Sequence, residues 1–234
     1  MQQSTQKVTE PLIIDLFLMK EIKLLGTTLR LLPERALYLS QQNLLLVSDV
    51  HLGKSENFQA LGVPIPNSVN QASLDRLHRL CMQLQPDQLI ILGDLFHSKL
   101  GLVDEVIDAW LKFINSIEAK VVLLVGNHDR PLLPTIQQLS MDCIPDAIQL
   151  ENIILSHEPN PQEDCINICG HIHPCVRIKT KLDSLRLPCF YVDHSRRLLM
   201  LPSFGEFTGG HDLPITSAST AYVIVEQTIV AFGR

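Results

Sequence analysis

Short runs of apolar residues recur along nearly the whole chain and predict buried β-strands. Each run is five or six residues long and rich in Val, Ile and Leu, which is typical of strands covered on both faces. The runs are Leu44–Ser48, Gln88–Leu92, Lys120–Val125, Asn152–Ser156, Cys165–Cys169, Cys175–Lys179, Cys189–Asp193, Arg197–Leu201 and Tyr222–Glu226. From about residue 165 onward these runs follow one another without helical segments between them.

Two stretches between the early runs have helical periodicity. Ser68 to Leu84 and Val103 to Ile117 each place their apolar residues three or four positions apart, on one face of a helix. Strands alternating with helices in the first part, and strands alone in the last, predict an α/β protein with two packed sheets and helices on the outer faces. No linker rich in Gly, Ser or Pro divides it, so we expect one domain over residues 21–234, preceded by an N-terminal tail or extra element over residues 1–20.

Composition narrows the class of protein. The chain has 234 residues, of which 46% are hydrophobic and 19% charged, which excludes a disordered protein. Its apolar runs fall far short of the roughly 20 residues that span a bilayer, and its N-terminus lacks the pattern of a secretory signal. We therefore expect a cytoplasmic protein without a membrane partner. The six cysteines form no CxxC pair, and we interpret them as reduced, buried residues.

Polar residues that can bind metals follow five of the predicted strands. Ligands bind beyond the carboxyl ends of strands in α/β sheets, so these residues should converge on one site. Gly93, Gly126 and Gly170, just before three of the groups, would let the backbone turn sharply there. The five groups are Asp49-Val50-His51, Gly93-Asp94, Gly126-Asn127-His128-Asp129, His157 and Gly170-His171-Ile172-His173.

The residue types in these groups indicate a metal centre. Carboxylates, an amide oxygen and imidazoles together suit manganese, iron or zinc better than calcium or magnesium alone. Seven such side chains are too many for one tetrahedral ion and suit two ions that share a carboxylate, an arrangement that drives displacement at phosphorus. Each residue by itself could be an ordinary turn or core residue, but the coincidence at five strand ends favours the metal centre.

The complete set of motifs resembles that of the calcineurin-like metallophosphoesterases, over about residues 44–173. The resemblance implies a two-sheet sandwich of the α/β/β/α type with two divalent metal ions. It implies that Asp94 bridges the ions and that His128, oriented by Asp129, protonates the leaving oxygen. The first metal would be bound by Asp49, His51, Asp94 and His173, and the second by Asp94, Asn127, His157 and His171.

A narrower resemblance extends over almost the whole chain. Segments such as Leu31-Leu32-Pro33-Glu34-Arg35, Gly93-Asp94-Leu95-Phe96-His97-Ser98 and Phe204-Gly205-Glu206-Phe207-Thr208-Gly209-Gly210 are similar to the ligase-associated DNA-damage-response endonucleases of the PdeM type. This resemblance implies a manganese-dependent DNA endonuclease in DNA repair, with single-stranded DNA as substrate and a functional association with a DNA ligase and a helicase. The role of the segment from Phe204 to Gly210 is left open, a glycine-rich turn being the simplest interpretation.

The distribution of charge is compatible with DNA as a substrate. The net charge is −6, so the molecule as a whole lacks the excess of positive charge that is typical of nucleic-acid-binding proteins. The segment from Val176 to Arg197, however, has six basic and only two acidic residues and follows the last metal motif. It could hold backbone phosphates or be an ordinary solvated strand face. The candidates for substrate binding are Arg130, Arg177, Lys179 and His97.

Two other functions remain open from the sequence. The same motifs would serve a phosphodiesterase or phosphatase acting on small nucleotides or phosphoproteins. A non-catalytic scaffold of the same fold is disfavoured, because the predicted ligands and His128 are all present.

Overall fold

The computed structural model describes residues 19–66, 68–179, 184–206 and 208–233, which form two mixed β-sheets and four helices. The helices belong to the first part of the described chain, and strands dominate the rest. The α/β two-sheet sandwich predicted from the apolar runs is confirmed. Residues 1–18, which make up most of the expected N-terminal element, lie outside the described residues.

The first sheet has seven strands in sequential order. Its first four strands are antiparallel neighbours, whereas β4, β5, β6 and β7 run parallel. The carboxyl ends of β4, β5 and β6 therefore lie side by side. The strands are β1 (Lys20–Leu24), β2 (Thr27–Leu32), β3 (Ala36–Leu39), β4 (Leu44–Val47), β5 (Gln88–Leu92), β6 (Lys120–Leu124) and β7 (Asp142–Ile144).

The second sheet has nine strands, with β9, β10 and β13 parallel at its centre. The pair β15–β16 extends it from β12, and β11 joins β12 to β14. The strands are β8 (Ile148–Leu150), β9 (Ile153–Ser156), β10 (Ile166–Cys169), β11 (Pro174–Lys179), β12 (Ser184–Asp193), β13 (Leu198–Met200), β14 (His211–Asp212), β15 (Ser219–Val225) and β16 (Thr228–Gly233).

The helices of the described chain all end before residue 137. The two long ones match the stretches with helical periodicity, and α3 ends a few residues earlier than that stretch. The helices are α1 (Lys54–Ala60), α2 (Ser68–Leu84), α3 (Asp104–Ile114) and α4 (Leu133–Ile136), with short 3₁₀ turns at Lys99–Gly101 and Arg130–Leu132. None of these helices combines the length and the apolar character needed to cross a bilayer.

Buried side chains divide into three clusters that explain the layers. One fills the space between the sheets, with Leu46 and Ile90 of the first sheet meeting Leu155 and Ile168 of the second. Another lies between the first sheet and α2 and α3, where Trp110 is completely buried. A third cluster lies on the other face of the second sheet, and none of its members comes from a helix of the described chain. Both faces of the parallel strands are thus covered, so their polar residues gather at the strand ends.

The strands at the start of the fold are not predicted by the apolar runs. In β1 only Ile22 is buried, and β2 and β3 mix buried with partly exposed residues. Such alternation is typical of antiparallel strands with one solvated face and gives a weaker signal than a continuous apolar run. The six cysteines are free, as expected, but only Cys81, Cys169 and Cys189 are buried, whereas Cys143, Cys165 and Cys175 are partly exposed.

Candidate metal centre

All five polar groups singled out in the sequence meet at one edge of the sandwich. Asp49 and His51 follow β4, Asp94 follows β5, and the Asn127-His128-Asp129 segment follows β6. From the facing sheet, His157 follows β9, and His171 and His173 follow β10. The two sheets thus each contribute the carboxyl ends of adjacent parallel strands, which is why residues far apart in sequence become neighbours.

Asp49, His51 and His173 form what we term the first ligand group. One ligand atom of each lies within 4.8 Å of the others. The Asp49 carboxylate is fully buried and accepts hydrogen bonds from the Ser48 hydroxyl at 2.5 Å and the His171 backbone N–H at 3.0 Å. Burial alone would raise the pKa of Asp49, but the hydrogen bond and charge of His173 bring that pKa below its ordinary value.

Asp94, His157 and His171 form the second ligand group, together with Asn127. One ligand atom each of Asp94, His157 and His171 lies within 4.8 Å of the others. The Asn127 Oδ1 atom lies 2.9 Å from His157 Nε2 and 3.0 Å from His171 Nδ1. The structure thus brings together the same residues that the motifs assign to the second metal.

The hydrogen bonds of two histidines test whether a cation fits. His157 Nδ1 lies 2.8 Å from the Leu92 carbonyl, and His173 Nδ1 lies 2.9 Å from the Gly209 carbonyl. Because a carbonyl only accepts, each Nδ1 carries a hydrogen, and in the neutral ring Nε2 is a bare acceptor. His157 Nε2 nevertheless faces Asn127 Oδ1, and His173 Nε2 lies 2.9 Å from Asp49 Oδ1. Acceptors that face each other in this way can be joined by a shared cation.

Orphaned polar atoms and shifted pKa values support the same fit. His51 Nδ1 is buried and has no hydrogen-bond partner among the described residues, and the buried atoms Asp49 Oδ1 and His173 Nε2 face only each other. Burial lowers the pKa of His51 to about 2, so its ring is neutral, as a metal ligand must be. Burial also raises the pKa of Asp94, and a cation beside that carboxylate would reverse this effect. The donor set therefore fits divalent metal ions.

The backbone is in the left-handed region at five of the seven expected metal ligands. Their φ angles are 56° at Asp49, 51° at His51, 55° at Asp94, 66° at His171 and 51° at His173. Residues other than glycine rarely adopt this conformation, which costs about 1–3 kcal/mol each and clusters at functional sites. These positions follow strands β4 and β5 of the first sheet and β10 of the second.

The three glycines do not all act as expected from the sequence. Gly93 has a φ of +82°, the sharp turn that was predicted, and a Cβ atom there would overlap the ring of His157. Gly126 and Gly170 have no positive φ. They are needed for space instead, since a Cβ atom would overlap the carboxylate of Asp94 or the side chain of Ser48. Close approach of ligands, more than turning, explains these two positions.

His128 lies beside the two ligand groups and faces the opening of the site. Its Nε2 atom is 4.0 Å from Asp94 Oδ2, and its side chain is 39% exposed. Its Nδ1 atom lies 2.7 Å from the His97 carbonyl, to which it donates. The His97 ring stacks on the His128 ring with centroids 5.3 Å apart, and burial lowers the pKa of His97 to about 4. His128 is therefore oriented by the backbone of His97.

The expectation that Asp129 orients His128 is wrong. The Asp129 carboxylate is fully buried and accepts hydrogen bonds from the backbone N–H groups of Asp94, Phe96 and Gly126 at 2.7, 3.1 and 3.1 Å. It thus ties the loop after β5 to the loop after β6. Burial raises the pKa of Asp129 to about 6. Asp129 therefore holds the loops of the site, and no hydrogen bond joins it to the His128 ring.

The candidate substrate-binding residues lie at different distances from the centre. His97 belongs to the site itself, and Arg130 is exposed directly after Asp129. Arg177 and Lys179 are exposed on β11, which leads away from His173, and Arg177 forms an ion pair with Asp212 at 2.6 Å. The rest of the segment from Val176 to Arg197 is less suited to contact a substrate at the centre. Residues 180–183 lie outside the described parts, and Arg197 precedes β13 at the opposite end of the strands from His171.

The role of the segment that follows β13 is open from the sequence alone, and the structure places this segment against the centre. Ser203 donates a hydrogen bond to the Asp49 carbonyl at 2.9 Å, and the Gly209 carbonyl holds His173 as described above. Its Gly-rich composition was the one signal that could have pointed to a tight approach to other backbone.

Comparisons with known proteins agree with this geometry. The sequence model of the family described as calcineurin-like phosphoesterase matches residues 43–186. A solved structure titled "Crystal structure of Pseudomonas putida nuclease MPE" is 32% identical in sequence, with a TM-score of 0.76. The similarity covers 92% of this chain and 100% of that one. Among curated proteins, none matches this chain.

Proposed function

The chain belongs to the calcineurin-like phosphoesterase family, whose members hydrolyse phosphoric esters, and on that premise we propose that it is a binuclear metal-dependent phosphodiesterase that cleaves DNA. The observation that carries the proposal is the convergence of two ligand groups and His128 on one open site. The 32% identity to a nuclease over 92% of the chain supports nucleic acid as the substrate.

We propose two divalent ions per chain, with manganese giving the best activity and iron or zinc as the other candidates. The first ion would be held by Asp49, His51, Asp94 and His173, and the second by Asp94, Asn127, His157 and His171. The mixture of imidazole nitrogen and carboxylate or amide oxygen suits these metals. When bound, the two ions supply Lewis-acid stabilisation of the phosphoryl oxygens and an activated water.

His128 is the proposed general acid. Its Nδ1–H is bound to the His97 carbonyl, so the proton to be transferred would be the one that Nε2 carries when the ring is doubly protonated. Nε2 lies 4.0 Å from Asp94 Oδ2 in a side chain that is 39% exposed, so the leaving oxygen of a phosphodiester can approach the ring. Asp129 contributes by fixing the loops that carry Asp94 and His128, and the hydrogen bond from the His128 N–H to Asp94 Oδ1 at 2.9 Å couples the two residues.

Single-stranded DNA is the proposed substrate, held by phosphate contacts beyond the metal centre. Arg130 and the exposed pair Arg177 and Lys179 are the candidates, with His97 closer to the reacting phosphate. The net charge of −6 makes the electrostatic part of binding weak and sensitive to salt. The roles in DNA repair, the functional association with a DNA ligase and a helicase, and a cytoplasmic location are part of the same proposal and rest on the sequence resemblance.

A comparison of three substrates tests the proposal. Protein loaded with Mn²⁺ should nick plasmid DNA and cleave end-labelled single strands, hydrolyse a small aryl phosphodiester more slowly, and act least on the monoester. Hydrolysis of the small diester or the monoester without cleavage of DNA would contradict DNA as the substrate and favour a small nucleotide or phosphoprotein. Inactivity toward all three would contradict the catalytic role.

A further inference from the structure

The segment from Ser203 to Gly210, Phe207 being outside the described residues, lies against the loop that carries Asp49. We call this segment the brace. The Ser203 hydroxyl and the Gly205 N–H both donate to the Asp49 carbonyl, at 2.9 and 3.0 Å, and the Phe204 N–H donates to the Ser48 carbonyl at 2.8 Å. Three hydrogen bonds therefore hold the backbone of a ligand whose own φ is strained.

The far end of the brace holds His173. The Gly209 carbonyl accepts the Nδ1–H of His173 at 2.9 Å, which fixes the tautomer and directs Nε2 toward Asp49. Directly after the brace, the His211 N–H donates to the His173 carbonyl at 2.8 Å. One continuous segment thus contacts Asp49 at one end and His173 at the other, and these are two of the three members of the first ligand group.

Glu206, between these two ends, is tied to the body of the protein. Its carboxylate forms an ion pair with Arg76 of α2 at 2.6 Å and lies 3.7 Å from Arg35. The Arg76 guanidinium also donates to the Phe204 carbonyl and stacks over the Phe204 ring, 4.3 Å from its centroid. Arg76 is mostly buried, so this contact is sheltered from solvent. The brace is therefore fixed to the helical layer as well as to the ligand loops.

We propose that the brace is a positioning element for the first ligand group and that Glu206, through Arg76, fixes it in place. The inference rests on the proposed metal centre but not on the substrate. The second ligand group makes no hydrogen bond to the brace within the described chain and is held by Asn127, the Leu92 carbonyl and the Asp129 loop contacts. Loosening the brace should therefore weaken the first metal and spare the second.

The test is the substitution Glu206→Gln, which keeps the size of the side chain and removes its charge. We expect the first Mn²⁺ to bind roughly tenfold more weakly, the lower end of the range for groups that orient metal ligands. The second Mn²⁺ should bind as in the unchanged protein. Calorimetric titration of metal-free protein gives both affinities. With two equivalents of Mn²⁺ per chain, electron paramagnetic resonance should show isolated Mn²⁺ in the variant and a coupled pair of Mn²⁺ ions in the unchanged protein.

Matched variants separate positioning from general damage. Asp142→Asn removes an ion pair of the same 2.6 Å length with Lys120, far from the brace, and should leave both affinities unchanged. Glu206→Asp keeps the charge and should restore part of the lost affinity. If Glu206→Gln does not fold, Arg35→Gln, which removes the 3.7 Å ion pair with Glu206 and the 3.4 Å hydrogen bond from Arg35 to the Gly205 carbonyl, should show the same selective change to a smaller degree.

Equal weakening of both ions, no weakening of either, or a binding stoichiometry of less than two ions in the unchanged protein would overturn the inference. Failure to cleave DNA would not, because metal binding is measured without substrate. The experiment therefore distinguishes an error about the brace from an error about the proposed function.

Discussion

The two ligand groups of the centre are held in place by different means. The second group is held mainly by its own members and by adjacent strand ends: Asn127 contacts both histidines, and the Leu92 carbonyl fixes His157. The first group depends on a segment about 30 residues beyond its last member, since Gly209 fixes His173 and Ser203 and Gly205 hold Asp49. The difference indicates that the second site is preformed by the sheets, whereas the first needs the brace.

Removal of the carboxylate that is proposed to bridge the ions should have the largest effect, because it takes a ligand from both proposed ions. Asp94→Ala takes away the ligand expected to bridge the ions, and with it the carboxylate oxygen that accepts a hydrogen bond from the His128 backbone N–H. We expect a greater loss of activity than for any other single substitution and less than one ion per chain. Metal analysis after loading with Mn²⁺ and gel filtration measures this. Two retained ions would contradict the bridging assignment.

Substitution of His128 should leave both groups intact and remove chemistry alone. His128→Ala is expected to retain two ions and to lose activity on DNA by about 10²–10⁴-fold, the usual contribution of a positioned acid. The loss should be smaller with p-nitrophenolate as the leaving group, because that oxygen needs little protonation. Steady-state rates on DNA and on the aryl diester give the comparison, and equal losses on both would mean that His128 is not the leaving-group acid.

Gly93→Ala should weaken metal binding by the second ligand group selectively, just as Glu206→Gln should weaken metal binding by the first. The new methyl group would overlap the His157 ring, so we expect the second ion to bind about 10–100-fold more weakly, as for other disturbed ligand orientations. Gly62→Ala is the matched control, since Gly62 has nearly the same φ, +83°, but open space around it. Calorimetric titration of both variants with Mn²⁺ distinguishes the two causes. Weaker binding in Gly93→Ala alone indicates displacement of His157, whereas weaker binding in both indicates backbone strain.

The smallest effect is expected outside both groups. Arg177→Ala with Lys179→Ala should reduce cleavage of single-stranded DNA and spare the small diester, which reaches only the centre. Each lost phosphate contact should flatten the log–log dependence of DNA binding on salt by about 0.7. Arg196→Ala with Arg197→Ala is the control, because Arg197 lies at the opposite end of the strands. Unchanged DNA cleavage by the first pair would contradict a phosphate-binding role for β11.

The sequence predicted which polar residues meet at one edge of the sheets, because the signal for them is local. Each of Asp49, Asp94 and His157 directly or nearly follows an apolar run, and a buried parallel strand needs a continuous run to cover both faces. The ends of such strands then determine where the ligands meet. For the same reason β1 was missed: as an edge strand with one buried residue, Ile22, it has no such run.

Contacts over long distances in the sequence could not be predicted. The Glu206–Arg76 ion pair joins residues 130 positions apart, and neither residue differs in type from an ordinary surface charge. Adjacency in sequence was misleading for Asp129, which stands next to His128 but turns its carboxylate toward the backbone of the β5 loop. Left-handed φ angles at Asp49 or His173 also leave no signal, because most Asp and His residues adopt other conformations.

The left-handed backbone at the ligands limits which residues can replace them during evolution. Asn, Asp, His and Gly tolerate that conformation, whereas β-branched residues do so only at high cost. A descendant that no longer needs metal would lose the ligand at His51 or His171 most easily through Asn or Gly, since Val or Ile would unfold the loop as well. Inactive descendants of this fold should therefore keep their loops and show Asn or Gly where the ligands stood.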